Sequence, residues 1–180
     1  MNRYVLLLRG INVGGKNKIP MKDLKKCLEE LGFTEVVTYI ASGNVILRSD
    51  KSAEKVKALV EEALPKNFKL DSELIKVLVL ARSQLQSVID NKPKGFGESP
   101  EKYHSDVIFM LDMDPHEAML VFSPKEGVDR VWEGSGAIYS QRLSAQRTKS
   151  RLSKIIGTPA YKSMTIRNWN TTMKLLEMLK

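Results

Sequence analysis

Cysteine is all but missing from this chain, and one residue, Cys27, among 180 excludes an internal disulfide. Histidine is nearly as scarce: His104 and His116 with that single cysteine cannot assemble a Cys/His zinc cage, so neither a metal nor another cofactor is expected. No apolar run approaches the roughly 20 residues that a membrane-spanning helix needs. The early run "YVLLL" is cut by Arg9 and lacks the small-residue cleavage site of a secretory signal. These absences point to a reducing cytoplasm and to no membrane partner. Acidic residues are also missing, altogether, between Glu133 and Glu177. Arg142, Arg147, Lys149, Arg151, Lys154, Lys162, Arg167 and Lys174 fall in that interval of a chain whose formal net charge is +8. Such a stretch attracts anions, or else is a solvated basic face with no dedicated partner.

What is present is periodic. Residues 4 to 9, "YVLLLR", read as a strand. Pro20 opens a helix at a position where a missing N–H is harmless, Met21, Leu24, Leu28 and Leu31 recur at helical spacing, and Gly32 stops it. "EVVTYIASGNVILRS" gives strands over 35–41 and 44–48 with a tight turn at Ser42 and Gly43. A helix over 51–64 and a strand over 73–80 follow. The order strand, helix, strand, strand, helix, strand is that of a ferredoxin-like βαββαβ plait. The fold class expected is therefore α+β, with two α/β-plait subdomains of which the second is smaller and less regular. The first spans 1–82, a helix and a Gly/Pro/Lys-rich linker occupy 83–104, and the second spans 105–180. Within the second, strands are expected over 105–111, 128–133 and 136–140, and helices near 115–121, 150–156 and 170–179.

Val5 to Leu8 and Val77 to Leu80 are apolar without alternation, which marks strands covered on both faces. An RNA-recognition plait instead leaves one face open with aromatics for base stacking.

In such a plait the loop after the first strand and the hairpin between the second and third leave the sheet at the same edge. That brings Arg9, Asn12, Gly14, Gly15 and Lys16 near Tyr39, Ser42, Gly43 and Asn44. Backbone N–H groups of a Gly-Gly segment before a helix, backed by a guanidinium, suit an oxyanion. Ordinary turn chemistry accounts for the same glycines, asparagines and serine, and the full phosphate-loop pattern of a nucleotide triphosphatase is absent. In "TIRNWNTTMKLLEML", Asn168, Asn170 or Thr171 is placed to cap the last helix and Trp169 to pack, while Arg167 has no obvious packing role. The acids of "LDMDPH" fit a helix amino terminus better than a metal site, and Cys27 fits a small buried hydrophobe.

Four separated blocks, "LLLRGINVGG", "PMKDLKKCLEELGF", "VVTYIASGNV" and "TIRNWNTTMKLLEM", resemble in the same order the signature blocks of the bacterial domain-of-unknown-function family numbered 1697. The resemblance implies two plait subdomains and brings no established activity. Its recurring polar positions match Arg9, Asn12, Gly14, Ser42, Gly43, Asn44, Arg167, Asn168 and Trp169. A Ser-Lys pair usual before the final block matches Ser153-Lys154, and the usual alanine before the arginine is Ile166 here.

Three functions follow as expectations. The first is binding of a small phosphate- or carboxylate-bearing ligand at a site built from the strand 1 loop, the strand 2–3 hairpin and the "RNWN" segment, with Arg9 and Arg167 as clamps. The second is an enzyme using the same residues on a phosphorylated or acidic substrate, with Tyr39 as an acid and Lys16 as a phosphate ligand. No nucleophile–base pair or carboxylate pair supports it. The third is weak, non-specific binding of nucleic acid by the basic carboxyl-terminal stretch.

Overall fold

The computed structural model describes all 180 residues, Met1–Lys180. They form two compact units, one of Met1–Gln86 with Lys174–Lys180 and one of Ser87–Met173. The expected linker, which runs to 104, falls inside the second unit, and its Phe96 is fully buried.

The first unit runs β1 (Asn2–Leu8), α1 (Met21–Glu30), β2 (Thr34–Tyr39), β3 (Asn44–Ser49), α2 (Ala53–Asn67), β4 (Val77–Ala81). The strands lie in the order β2-β3-β1-β4, every neighbour antiparallel. In β1, Leu6 faces Val45 on one side and Val79 on the other, and this face packs with Leu24 and Leu28 of α1 and Val56, Val60 and Leu64 of α2 into one core. Fully burying each such side chain is worth about 1.5 to 3 kcal/mol. Val5 and Leu7 point the other way, pair with Leu80 and Leu78, and are also fully buried. The unbroken apolar run thus reflects two covered faces. Helix α1 ends in a Schellman motif: the N–H of Gly32 donates to the Glu29 carbonyl (3.0 Å) and that of Phe33 to Leu28 (3.3 Å).

The second unit holds β5 (Tyr103–Met110), α4 (Pro115–Met119), β6 (Asp129–Glu133), β7 (Ala137–Leu143) and β8 (Met164–Asn168), with strand order β6-β7-β5-β8 and again only antiparallel pairs. Helix α3 (Arg82–Asp90) crosses the boundary between the units, and α5 (Trp169–Met178) starts in the second and ends in the first. The structure differs from expectation at two places here. The helix near 150–156 is replaced by three short 3-10 segments, Ser144–Lys149, Leu152–Gly157 and Pro159–Ser163. Gly157 and Pro159 break this stretch, and Thr158, restricted by the following proline, is extended at ψ 151°. Strand β8 was not anticipated, because an arginine in "MTIRN" argues against a buried strand. Yet Thr165 and Arg167 are both buried on one of its faces. Asp114 caps α4, its Oδ1 accepting the His116 N–H at 2.8 Å with Pro115 in the first helical turn, so the acids of "LDMDPH" have a structural use.

Candidate functional site

In the first unit the chain leaves β1 through a loop dense in left-handed backbone: Gly10, Asn12, Gly14, Gly15 and Asn17 all have positive φ. Asparagine tolerates this region because its amide can bond locally, and both asparagines do so. The Oδ1 of Asn12 accepts the Ile19 N–H (2.8 Å), and its Nδ2 donates to the carbonyls of Ile19 (2.9 Å) and Ala41 (2.7 Å). Asn17, buried, donates through Nδ2 to the Gly10 carbonyl and to Ser72 Oγ, both at 3.0 Å. Its Oδ1 accepts the N–H groups of Asp71 (2.9 Å) and Ser72 (3.1 Å), while its own N–H donates to Asp71 Oδ2 (2.7 Å). Gly14 and Gly15 form a two-residue hairpin turn closed by a Lys16 N–H to Val13 carbonyl bond of 3.0 Å. Positive φ at both central positions is what a primed turn requires. Val13 and Lys16 are left exposed at its tip.

The hairpin loop between β2 and β3 is longer than a tight turn, running 40–43, because β2 ends at Tyr39. Ile40 adopts φ 49° while half exposed. Gly43 (φ 89°) receives the Leu8 N–H at its carbonyl (2.8 Å), and a Cβ there would stand 2.9 Å from Leu8 Cβ. Asn44 is fully buried and donates to the Tyr39 carbonyl and Ser42 Oγ, both at 3.0 Å. Loop and hairpin therefore do meet at one sheet edge. Half-buried Arg9 starts this edge, its N–H bonded to the Lys76 carbonyl (2.9 Å). Within this set Asn12 and Asn44 are engaged with protein groups and act as positioning residues. Arg9 and Tyr39 lie half-buried at the same edge, Lys16 is exposed, and Ser42 Oγ accepts the Asn44 amide.

Arg167, Asn168 and Trp169 belong to the second unit. Arg167 lies on β8 opposite Val107, with Nη1 donating to Thr165 Oγ1 and the Ile166 carbonyl, each at 2.9 Å. It is 6% exposed, and burial pushes its guanidinium down to about 10, still charged at neutral pH. Arg167, expected as a clamp with no packing role, is thus a buried cation bonded to its own strand. Asn168 caps α5 by accepting the Asn170 N–H at 2.9 Å. Trp169 stacks edge-on against Phe96 with centroids 5.2 Å apart, and Gly97 sits so close to its indole that a Cβ would come within 2.4 Å. Asn168 and Trp169 line a cavity of about 220 Å³ with Tyr103, His104 and Ser144.

A polar cluster of the second unit was missed. His104 opens β5 rather than lying in a linker, and its Nε2 is 3.0 Å from Asp106 Oδ2. The i, i+2 spacing of His104, Asp106 and Ile108 in "HSDVI" signals one strand face, and a strand begun two residues earlier would have shown it. Cys27 is buried on α1, and burial, with Glu30 nearby, raises its thiol pKa, so the inert reading fits.

An α+β protein of two units, each with a four-stranded antiparallel sheet, is the class that this geometry defines. The model of the family described as "Protein of unknown function (DUF1697)" matches residues 1–139, and the chain belongs to that family. Among solved structures, conserved bacterial protein SP0830 from Streptococcus pneumoniae is similar at 29% identity, with 99% of each chain covered and a TM-score of 0.76. No curated protein matches. The family match includes the Arg9 loop and the 40–43 hairpin and stops before β8.

Proposed function

We propose that the protein binds a small ligand bearing a phosphate or carboxylate group, and that the Arg9 loop and the 40–43 hairpin of the first unit hold that group. The observation that carries this reading is the backbone of Ile40. A β-branched residue in the left-handed region is costly, by about 1 to 3 kcal/mol, and such strain concentrates at ligand-holding loops. Ile40 is 52% exposed, so little packing offsets the cost. The strained tip is fastened through Ala41 to Asn12, two residues from Gly10 and three from Arg9. Arg9 supplies the bidentate fork, Lys16 a point charge and Ser42 a hydroxyl.

The strand orders and crossovers support reading each unit as a ferredoxin-like plait, with 3-10 segments in place of the second helix of the second unit. A lone buried cysteine supports a cytoplasmic location, and the pneumococcal neighbour supports a bacterial source. No helix is long and apolar enough to cross a membrane.

Calorimetric titration of the whole protein with inorganic phosphate and with succinate tests the proposal. At least one binds, and Arg9→Ala weakens it tenfold or more while Arg9→Lys retains part of the affinity. Equal affinity in all three proteins contradicts it.

The nucleic-acid reading has one supporting observation: Arg147, Lys149, Lys154 and Lys162 are all exposed on the 3-10 segments. Buried Arg167 drops out of that surface. Contacts of this kind weaken with salt at a log–log slope of about 0.7 per phosphate on a single strand. A flat salt response would remove this reading.

A further inference from the structure

We infer that a second site, a cleft on one sheet face of the second unit, binds a small monocarboxylate with an apolar body. The register builds it: His104 pairs with Arg142, Asp106 with Ser140 and Ile108 with Ile166, so these side chains share one face. They line a cleft of about 210 Å³ whose other wall includes Phe122, Leu152, Ile156 and Tyr161.

The acidic groups nearest Arg142 are engaged elsewhere. Asp106 is taken by His104 at 3.0 Å. Asp129, opposite Arg142 across the β6–β7 pair, is buried and turned to other donors. Its Oδ2 accepts the N–H groups of Lys125 (2.9 Å) and Arg151 (2.8 Å), and its Oδ1 accepts the Ser150 hydroxyl (2.6 Å). No side-chain acceptor engages the Arg142 guanidinium, which lines the cleft half-buried. A guanidinium bonded to no side chain, set beside apolar walls, calls for one anionic group on an apolar body, and a carboxylate matches the guanidinium fork. A phosphate dianion fits less well, because it would bring a second charge against the apolar walls. An apolar cavity of about 150 Å³ takes a benzene ring. The larger volume here therefore suits a ring of that size with its carboxylate. Ile156 is 58% exposed at the cleft, apolar surface that such a ligand would cover.

Benzoate is the probe, with amide shifts of the whole protein followed by NMR at fixed ionic strength. Saturable shifts are expected at Asp106, Ser140 and Ile156. Benzyl alcohol and benzylamine, of the same shape without the negative charge, should bind at least tenfold more weakly. Arg142→Ala should cost tenfold or more, with Arg142→Lys intermediate. Should Arg142→Ala not fold, Ile156→Glu against Ile156→Gln serves instead, since a negative charge at the mouth should repel benzoate and the neutral isostere should not. Inorganic phosphate should leave these amides unmoved. Absence of saturable shifts, or benzyl alcohol binding as tightly as benzoate, or indifference to the charge changes, overturns the inference.

Discussion

The side-chain amide of Asn12 donates to the Ala41 carbonyl at 2.7 Å and so fastens the loop after β1 to the β2–β3 hairpin. With its two bonds to Ile19, the same amide shapes the approach to α1. Removing it leaves three backbone groups without that partner, the two of Ile19 part-buried and that of Ala41 exposed. Asn12→Ala should cost about 2 to 3 kcal/mol, and Asn12→Asp, which keeps the acceptor bond but loses both donor bonds, about two-thirds of that. Urea unfolding of the three proteins checks the order, and an unchanged midpoint for Asn12→Ala would remove the fastening role.

Gly32 and Gly43 share φ 89° and differ in what surrounds them. Nothing lies within 4 Å of a Cβ at Gly32, whereas at Gly43 it would meet Leu8 Cβ at 2.9 Å and the Leu8 carbonyl oxygen at 3.0 Å. Gly32→Ala should cost only the left-handed conformation, about 1 to 2 kcal/mol. Gly43→Ala adds a collision with a central strand and should cost at least about 1 kcal/mol more. Equal losses in thermal melts would contradict the geometry.

Arg167→Ala removes a buried cation from a strand position and leaves Thr165 Oγ1 and the Ile166 carbonyl without that donor. Hydrogen bonds to charged groups contribute about 1.5 to 3 kcal/mol, so a loss of about 3 kcal/mol is expected in chemical denaturation. A loss below about 0.5 kcal/mol, the usual effect of an exposed substitution, would mean that Arg167 serves a ligand and not the fold.

Tyr139 is buried against Phe96 and donates its hydroxyl to the Val88 carbonyl. Burial raises its pKa, so above about pH 10 the unfolded chain loses this proton while the folded chain keeps it. The unfolded state then binds fewer protons, and stability falls as pH rises. Tyr139→Phe should be less stable than the parent at pH 8, by about 1 to 3 kcal/mol for the carbonyl left unpaired. Its stability should decline less between pH 10 and 11, which guanidinium unfolding at the three pH values would show. A parallel decline would remove Tyr139 from the alkaline sensitivity.

Periodicity made the first unit legible. Leu24 and Leu28 mark one helix face, Val5 to Leu8 mark a strand covered twice, and both readings match the buried positions. It also placed the Arg9 loop beside the hairpin, because chain direction alone fixes which ends of a sheet share an edge. The second unit was harder for two physical reasons. A charged residue at a buried strand position hides the strand, as Arg167 does in β8, and Pro159 with Gly157 replaces a regular helix by 3-10 turns that have no 3.6-residue signature. The amides of Asn12 and Asn17 were opaque for a third reason. Their partners, Ala41 and Ser72, lie far along the chain and are joined to them only by tertiary structure.

The most direct test of the anion site is an amide NMR titration of the whole protein with inorganic phosphate at constant ionic strength, run on the parent and on Arg9→Ala. Saturable shifts should concentrate at Gly10 to Lys16 and Ile40 to Asn44 and vanish in Arg9→Ala, with the dispersion of both spectra showing intact folds. Shifts confined to the basic 3-10 segments, or a response at the loop that persists without the Arg9 guanidinium, would contradict the account.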